Sequence, residues 1–476
     1  MHKSANGFPT KEFFMTMLTR DIQLHDAILD LLDNCLDGVH RDQKSKGTKD
    51  KKASDYYHGY SAEIIISEKT FSITDNCGGI PIEVAEESAF RMGRGSEGTP
   101  DDLQTVGIYG IGMKRAIFKL GKSASVETSN GGDHYKVTIP DSWIDSDGWN
   151  FPIEMLSDST APRTQIIVEN LNEEIASRWE TTEKRETFVG ELIKAIKESY
   201  SFIIEKGFTI TVNRKQVDAL PVSLIIAKDK KDGIKPYIYK AVLGSVSINL
   251  IIGFYAPISS EDERDEMITS KRTTGDAGWT VICNDRVVLY NDKSHLSGWG
   301  ESGVPNYHTQ FIGIRGIVFF ESNTPKDLPM TTTKRGIDLT SEVYAVTKNK
   351  MREGLKIFTG YTNTWKGRYS EEKTYSSQTT EVPVSELISR EKQVAHLGKI
   401  VYSRDGVFKP KLPKPTNETE FRRISFSKNK DEIQVVGKYI FGEDDSIERP
   451  PTKIGEECFD KFLQKAKAMQ GGKVDG

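Results

Sequence analysis

Three polar residues, Asp30, Asn34 and Asp37, stand at intervals of four and three in an apolar run over 28–39. A helix places positions i, i+4 and i+7 on one face. A carboxylate one turn before a carboxamide can activate a water molecule beside a metal ion that the amide oxygen holds. A solvated charged helix face has the same pattern, so its meaning depends on the rest of the chain.

A second group of small and polar residues follows a predicted β-hairpin. The β-rich runs 62–67 and 70–74 are joined by a short polar turn, and the second leads into Asp75, ahead of Gly78 and Gly79. A carboxylate at a strand end can accept a hydrogen bond from an exocyclic amine, and glycines let the backbone approach a flat ring. An ordinary Asp-Asn-x-Gly turn has the same letters.

The third motif is the glycine-rich segment 106–114, which ends at Lys114. A helical pattern follows as far as Leu120, and Gly121 stands at the C-cap position. Glycines that open a helix expose N–H groups at the positive end of the helix dipole, and the lysine adds a charge. The segment therefore fits a phosphate-binding loop, although a glycine-rich loop without a ligand has the same pattern. A Rossmann site is disfavoured because no strand of a βαβ unit leads directly into it.

Together the three motifs resemble the Bergerat-fold ATPases of the GHKL superfamily, a group that includes gyrase B, MutL proteins, large heat-shock chaperones, histidine kinases and MORC proteins. The order matches: an acid-x-x-x-Asn helix, a hairpin ending in Asp, a variable segment, then Gly-x-x-Gly-x-Gly and a helix. The segment 90–98 resembles the MORC branch most. The resemblance is clear over roughly the first 200 residues, a domain-sized length, and fainter beyond.

The resemblance implies an α+β fold in three parts: a Bergerat α/β-sandwich ATPase domain over 1–205, a transducer domain related to ribosomal protein S5 over 206–365, and a linker with a small C-terminal region over 366–476. The amphipathic pattern from Glu183 to Lys206 predicts the helix that joins the first two parts. Strand-like runs occur at 123–129, 134–140, 164–170, 208–213, 248–255 and 279–290, and a helical pattern at 341–361. Residues 366–414 are polar and then proline-rich, which predicts a stiff exposed linker.

The resemblance also implies individual roles. Asn34 would ligate Mg²⁺, Asp75 would accept from the adenine amino group, and Gly79 would pass close to the base. Lys334, on a loop of the second domain, would reach the γ-phosphate, and residues 91–105 would form the ATP lid. The residues that would contact the nucleotide or its phosphates are Met92, Arg94, Ser96, Gly107, Gly110, Ile111, Gly112, Met113 and Lys114.

Two positions depart from the family pattern. The usual general base is Glu, and this chain has Asp30, whose side chain is one methylene shorter and reaches a hydrolytic water less well. Asp33, the nearby substitute, points to a different helix face. Cys77 replaces the first glycine of Asp-x-Gly-x-Gly, where it restricts positive φ. Slow ATP hydrolysis, or ATP binding used purely as a switch, is therefore expected.

Composition predicts a cytoplasmic protein without a membrane segment, because no apolar run has transmembrane length and residues 1–10 lack the core of a signal peptide. The four cysteines lack paired metal spacing and are expected to be free thiols. The net charge of −4 implies no general attraction to nucleic acid, although the basic run 41–52 is either a solvated loop or a nucleic-acid contact. The region 276–300 contains Asn284-Asp285-Arg286 and a glycine-flanked Trp299, which fits either a partner contact or a core anchor.

These features predict a slow ATPase that binds ATP and Mg²⁺ and dimerises on ATP binding to clamp DNA or a partner protein. A repair or defence system with a separate effector protein is the first expectation. A chaperone-like clamp is the second. A histidine kinase is disfavoured, because that class lacks the transducer. A nucleotide-sensing scaffold without turnover is the fourth alternative, and Asp30 motivates it.

Overall fold

The computed structural model of the chain describes residues 9–47, 53–92, 110–146, 148–157, 161–228, 233–258, 275–388, 403–415, 424, 427–442 and 450–471. The chain forms two units, residues 1–416 and 417–476. In these described ranges, no helix has both the length and the apolar character that a membrane span requires.

The first part of unit one contains a large sheet and the helices that cover it. Its elements are α1 (Lys11–Thr19), α2 (Leu24–Ser45), β1 (Ser61–Ile66), β2 (Phe71–Asp75), α3 (Ile82–Val84), α4 (Gly112–Leu120), β3 (Gly121–Ser129), β4 (His134–Ile139), β5 (Ile153–Met155), β6 (Arg163–Leu171), α5 (Glu173–Trp179), α6 (Thr182–Glu205), β7 (Thr209–Val212) and β8 (Lys215–Gln216). The strand order is β5-β4-β3-β6-β2-β1-β7-β8. Neighbouring strands are antiparallel except β1 and β7, which run parallel.

Alternation along the strands determines which side chains meet the helices. In β1, Ala62, Ile64 and Ile66 are buried while Glu63 is exposed. These buried residues form one core with apolar side chains of α2, α4 and α6. Helices α2, α4 and α6 are therefore held against one face of the sheet by a continuous apolar core. The mixed α+β architecture with a large sheet is consistent with a GHKL ATPase domain.

The second part of unit one is built on a six-stranded sheet. Its elements are β9 (Ser223–Ala227), β10 (Tyr237–Leu243), β11 (Val246–Phe254), β12 (Gly278–Cys283), β13 (Arg286–Asp292), β14 (Ile314–Glu321), α7 (Glu342–Thr364), α8 (Tyr369–Ser376), β15 (Thr379–Pro383), α9 (Val384–Ile388) and β16 (Val407–Phe408). The sheet order is β13-β12-β14-β11-β10-β16, and β15 pairs with β9 separately. Helix α7 packs on β10 and β11. Trp279, Trp299 and Trp365 are buried in this core, so Trp299 anchors the fold.

Helix α6 joins the two sheets, as the amphipathic pattern predicts. It packs on β7 of the first sheet and on β13 of the second. The chain then adds 209–216 to the first sheet before it enters the second, so the first sheet extends past the expected boundary at 205. The strand expected over 279–290 is a hairpin, β12–β13, that turns at Asn284 and Asp285.

One local expectation is wrong, and a second is confirmed. The described part of 366–414 contains α8, α9 and two paired strands rather than an exposed linker. Their partners, β9 and β10, lie far away in the sequence, so local composition does not reveal the pairing. Gly121 stands at the C-cap of α4, as expected, and its backbone there is extended. A Cβ there would lie 2.8 Å from the Glu169 carbonyl oxygen, so close strand packing requires the glycine.

The described residues of unit two include the helices α10 (Lys430–Phe441) and α11 (Pro451–Gly471), which pack against each other. A capping box formed by Asn429 and Glu432 begins α10.

Candidate nucleotide-binding site

The polar face of α2 is buried, in contrast to a solvated helix face. Asp30 is 4% exposed and Asp37 is 6% exposed, while Asn34 between them is half-buried. The amide nitrogen of Asn34 is buried and finds no hydrogen-bond partner among the described residues. Because an unpaired buried polar group is costly, this side chain is suited to a ligand that satisfies it.

Helix α4 begins directly beside Asp30. A Cβ added to Gly112 would lie 3.3 Å from the Asp30 Cβ, so the glycine allows the start of α4 to approach the carboxylate. Arg115, one turn later, donates to Asp30 Oδ2 through Nε at 3.1 Å and also through Nη2. Burial raises the pKa of Asp30 above its ordinary value, although the positive charges of Lys334 and Arg115 oppose the shift. The sequence analysis did not single out Arg115.

Among the described residues, no side chain caps the N-terminus of α4, an arrangement that suits an anion. Ile111 occupies the N-cap position without a side-chain hydrogen bond, and Gly110 before it has φ +66°. The first-turn N–H groups of the helix have no intrahelical acceptor, and the helix dipole favours negative charge there. Glycine accommodates this left-handed conformation without strain.

Lys114 stabilises the glycine turn in this structure. The side chain is 2% exposed, and its ammonium donates to the Ala89 carbonyl at 2.9 Å and to the Gly110 carbonyl. Its expected phosphate contact stays a prediction. Of the other expected contacts, Met113 is buried, and Ile111 and Met92 are half-buried. Three of the expected contacts, Arg94, Ser96 and Gly107, lie outside the described residues. Most of the lid expected over 91–105 also lies outside them.

The expected adenine end is built on Asp75. The alternation of β2 places its side chain on the same face as Phe71 and Ile73, toward α2. Asp75 Oδ1 accepts from the Cys77 N–H at 2.8 Å, and Oδ2 accepts from the Cys35 thiol of α2 at 3.4 Å. Burial raises the pKa of Asp75. The carboxylate is thus held from two sides.

Backbone contacts position the loop after Asp75. Gly79 has φ +70°, and a Cβ there would lie 2.0 Å from the Ser129 carbonyl oxygen of β3. A Cβ on Gly38 of α2 would lie 2.6 Å from the Cys77 carbonyl oxygen on the other side. The left-handed residues are Gly78 and Gly79, whereas Cys77 is not left-handed. The Cys at position 77 is therefore compatible with this backbone.

A loop of the second sheet region reaches α2. A backbone bridge between Met330 and Ile337 closes this loop, and Lys334 in it has φ +57°. The Lys334 ammonium donates to Asp33 Oδ2 at 2.8 Å. Arg335 lies 2.7 Å from Asp26 Oδ1 in an ion pair without hydrogen-bond geometry. The structure therefore places Lys334 next to the helix that carries Asp30 and Asn34.

Asp33 also binds a second cation and a tyrosine. Its Oδ1 accepts from Arg286 Nε at 3.0 Å and from the Tyr200 hydroxyl at 2.6 Å. Burial alone would raise the pKa of Asp33, but Lys334 and Arg286 outweigh it and lower the pKa below its ordinary value. The sequence analysis named the turn that carries Arg286, but no residue pattern in the sequence predicted its contact with Asp33.

Residues 22–161 match the model of a family described as histidine kinase-, DNA gyrase B- and HSP90-like ATPases. This match supports a GHKL-type ATPase domain over that segment. The segment includes all three motifs, from Asp30 to Lys114. No curated protein matches the chain. Domains of this family bind ATP, usually with Mg²⁺.

The residues present fit a magnesium nucleotide. Asn34 offers a hard oxygen ligand of the kind that Mg²⁺ prefers. Its amide nitrogen, which has no partner in the described ranges, can donate to a phosphate oxygen. Gly110, Gly112 and the uncapped start of α4 suit the phosphates. When bound, Mg²⁺ supplies positive charge that offsets the charge of the phosphates.

Proposed function

We propose that this protein is an ATP-dependent switch of the branch that contains gyrase B, MutL and MORC proteins. It binds ATP with Mg²⁺, hydrolyses ATP slowly, and dimerises when ATP is bound. The second sheet region acts as an S5-like transducer. The observation that carries this proposal is the position of Lys334, which lies on a loop of the second sheet region and is bonded to Asp33 of the site helix.

In this mechanism Asp30 orients a water molecule and accepts its proton during attack on the γ-phosphate. The raised pKa of Asp30 makes it a stronger base than an exposed aspartate. Asn34 holds the metal, Asp75 accepts from the adenine amino group, and the start of α4 binds the phosphates. Lys334 contacts the γ-phosphate and so reports its presence to the second sheet region.

Hydrolysis is slow for two reasons. The Asp30 side chain is one methylene shorter than glutamate, and its Oδ2 is occupied by Arg115. The same observation favours a second candidate function, a scaffold that binds ATP without turnover. In both cases the nucleotide controls assembly, and any further chemistry belongs to a separate effector protein.

The closed dimer clamps DNA or a protein in a repair or defence system, in the cytoplasm. DNA binding that weakens steeply with salt supports the DNA clamp. Suppression of client aggregation without DNA supports a chaperone-like clamp instead.

The test measures ATP binding, ATP turnover and dimerisation of the full chain, with and without duplex DNA. Asp30→Asn should abolish turnover and keep the ATP-bound dimer, and Asn34→Ala should lose Mg²⁺-dependent ATP binding. Asp21→Asn, at an exposed position just before α2, is the matched control and should behave as wild type. Wild type that binds ATP without turnover supports the scaffold, and wild type that does not bind ATP refutes both candidates.

A further inference from the structure

We propose that Arg286 is a positioning residue that retains Asp33 while Lys334 moves from Asp33 to the terminal phosphate of a bound nucleotide. Asp33 is then the resting partner of Lys334, and competition between this carboxylate and the phosphate sets the ATP response. The proposal rests on the proposed function, since it requires a nucleotide beside α2.

The first supporting observation is the balance of charge. Asp33, 1% exposed, is shared by two cations, with Lys334 on Oδ2 and Arg286 on Oδ1. A single carboxylate offsets only one of the two charges. An anion that enters beside α2 can therefore take one cation and leave a matched ion pair behind.

The second observation is that the two cations are held very differently. Arg286, 1% exposed, also donates to the carbonyls of Ser199 at 3.3 Å and Val287 at 2.9 Å. Its guanidinium lies 4.4 Å from the centre of the Tyr200 ring. Lys334 bonds through its ammonium to Asp33 alone among the described residues. Lys334 is therefore the cation that can leave.

The backbone at Lys334 supports this assignment. Its φ of +57° is a left-handed conformation that a non-glycine residue rarely adopts. The surrounding loop holds it there through a hydrogen bond from the Lys334 N–H to the Thr331 carbonyl at 2.9 Å. Such strain concentrates in segments that switch between arrangements. A movement of Lys334 would thus start in a loop that is already strained.

The turn that carries Arg286 is anchored independently of Lys334. Asp285, its neighbour, accepts from Lys206 at 2.8 Å and from the Tyr57 hydroxyl at 3.1 Å. Because β13 begins at Arg286, this anchor holds the edge of the second sheet against the first part of unit one. Release of Lys334 would change one contact between the two parts while this one persists.

The first experiment uses the wild-type full chain and amide hydrogen exchange. With Mg²⁺ and a non-hydrolysable ATP analogue, exchange in 330–337 should change, while 278–292 keeps its protection. Mg²⁺ with ADP should leave both segments unchanged. Loss of protection in both segments with the analogue would overturn the proposal, because Arg286 would then not be the retained anchor.

The second experiment compares the affinity for the ATP analogue with the affinity for ADP. Asp33→Asn weakens the hold on Lys334 and should raise this preference about fivefold. Arg286→Gln leaves Lys334 as the sole cation on Asp33 and should lower the preference by a similar factor. Lys334→Ala leaves a matched Arg286–Asp33 pair, so this variant should fold. When Asp33→Asn is combined with Lys334→Ala, it should cause no further change in the preference for the ATP analogue.

Lys206→Ala is the matched control, since it breaks a partly buried ion pair on the same turn. It should leave the nucleotide preference unchanged. A purely structural role for Asp33 and Arg286 would lower both affinities together, and an unchanged ratio would refute the inference. If wild type binds neither nucleotide, the proposed function itself fails. If it binds both and the ratio never moves, only this inference fails.

Discussion

Two aspartates on α2, three residues apart, occupy opposite environments. Asp30 faces α4, where a single cation, Arg115, contacts it. Asp33 faces α6 and the second sheet region, where Arg286 and Lys334 share it. Burial raises the pKa of Asp30 despite the positive charges of Lys334 and Arg115, whereas Lys334 and Arg286 lower the pKa of Asp33 despite its burial.

The difference teaches how one helix can combine reactivity with coupling. Burial penalises the charged form of both carboxylates, and two cations oppose this penalty at each. Among the described residues, Asp33 accepts hydrogen bonds from both of its cations, whereas Asp30 accepts them from Arg115. At Asp30 desolvation prevails, which favours a base that accepts protons. At Asp33 the cations prevail, which favours a carboxylate that stays ionised and can keep Arg286 when Lys334 leaves.

The largest effect should separate the two aspartates by stability. Asp33→Ala leaves Arg286 and Lys334 as uncompensated buried charges and should reduce the free energy of unfolding by about 3–5 kcal/mol. Asp30→Ala should reduce it by about 1–2 kcal/mol, since a single partner loses its acceptor. Urea denaturation measures both. An equal loss in the two variants would contradict the contrast.

The next effect concerns how far the side chain at position 30 reaches toward the hydrolytic water. Asp30→Glu restores the missing methylene and should raise ATP turnover about tenfold, a fraction of what a general base contributes. Asp33→Glu is the matched control and should give no gain, because Asp33 does not act on water. Steady-state phosphate release measures both. Lower turnover in Asp30→Glu would show that crowding by Gly112, and not length, limits this position.

A pH profile tests the role of Arg115. The base must be deprotonated, and Arg115 lowers the pKa of Asp30, so Arg115→Gln should raise that pKa further. As the pH falls, Arg115→Gln should therefore lose ATP turnover at a pH about one unit higher than wild type does. Lys119→Gln, on the same helix, should leave the acid limb in place. An acid limb that does not move in Arg115→Gln would show that Asp30 is not the titrating base.

The smallest effect concerns the Tyr200 hydroxyl. Tyr200→Phe removes a hydrogen bond to Asp33 and should reduce the free energy of unfolding by about 1 kcal/mol. Turnover and its pH profile should not change, because the hydroxyl contacts neither Asp30 nor Asn34. A shift of the acid limb in this variant would mean that the Asp30 and Asp33 sides are not separate.

Periodicity predicted most of the elements that carry the site. The hairpin ending at Asp75, the helix around Asp30 and the junction helix α6 all stand where the apolar pattern places them, with ends displaced by a few residues. Local patterns work there because each element buries one face. The strand pairing of 379–383 and 407–408 escaped prediction because their partners lie far away in the chain.

The same distinction applies to the site. The glycines at 78 and 79 follow from local backbone needs, since both have positive φ. The partners of Asp33 do not follow from spacing, because Arg286 and Lys334 stand far from α2 in the sequence. The family resemblance identified Lys334 as a candidate phosphate contact, whereas the sequence analysis named Arg286 without assigning it a function in the site. Nothing in the sequence predicted a role for Arg115 apart from its position directly after Lys114.

The sequence by itself determined the helix of Asp30 and Asn34, the strand end at Asp75 and the glycine loop before α4, because each depends on residue types close together in the chain. Only the tertiary structure decided which carboxylate is hydrogen-bonded to one cation and which to two, and whether burial or charge determines the direction of each pKa shift. Charge interactions and burial depend on distance in space, and folding brings Arg115 to α2 from the first sheet region and Arg286 and Lys334 from the second.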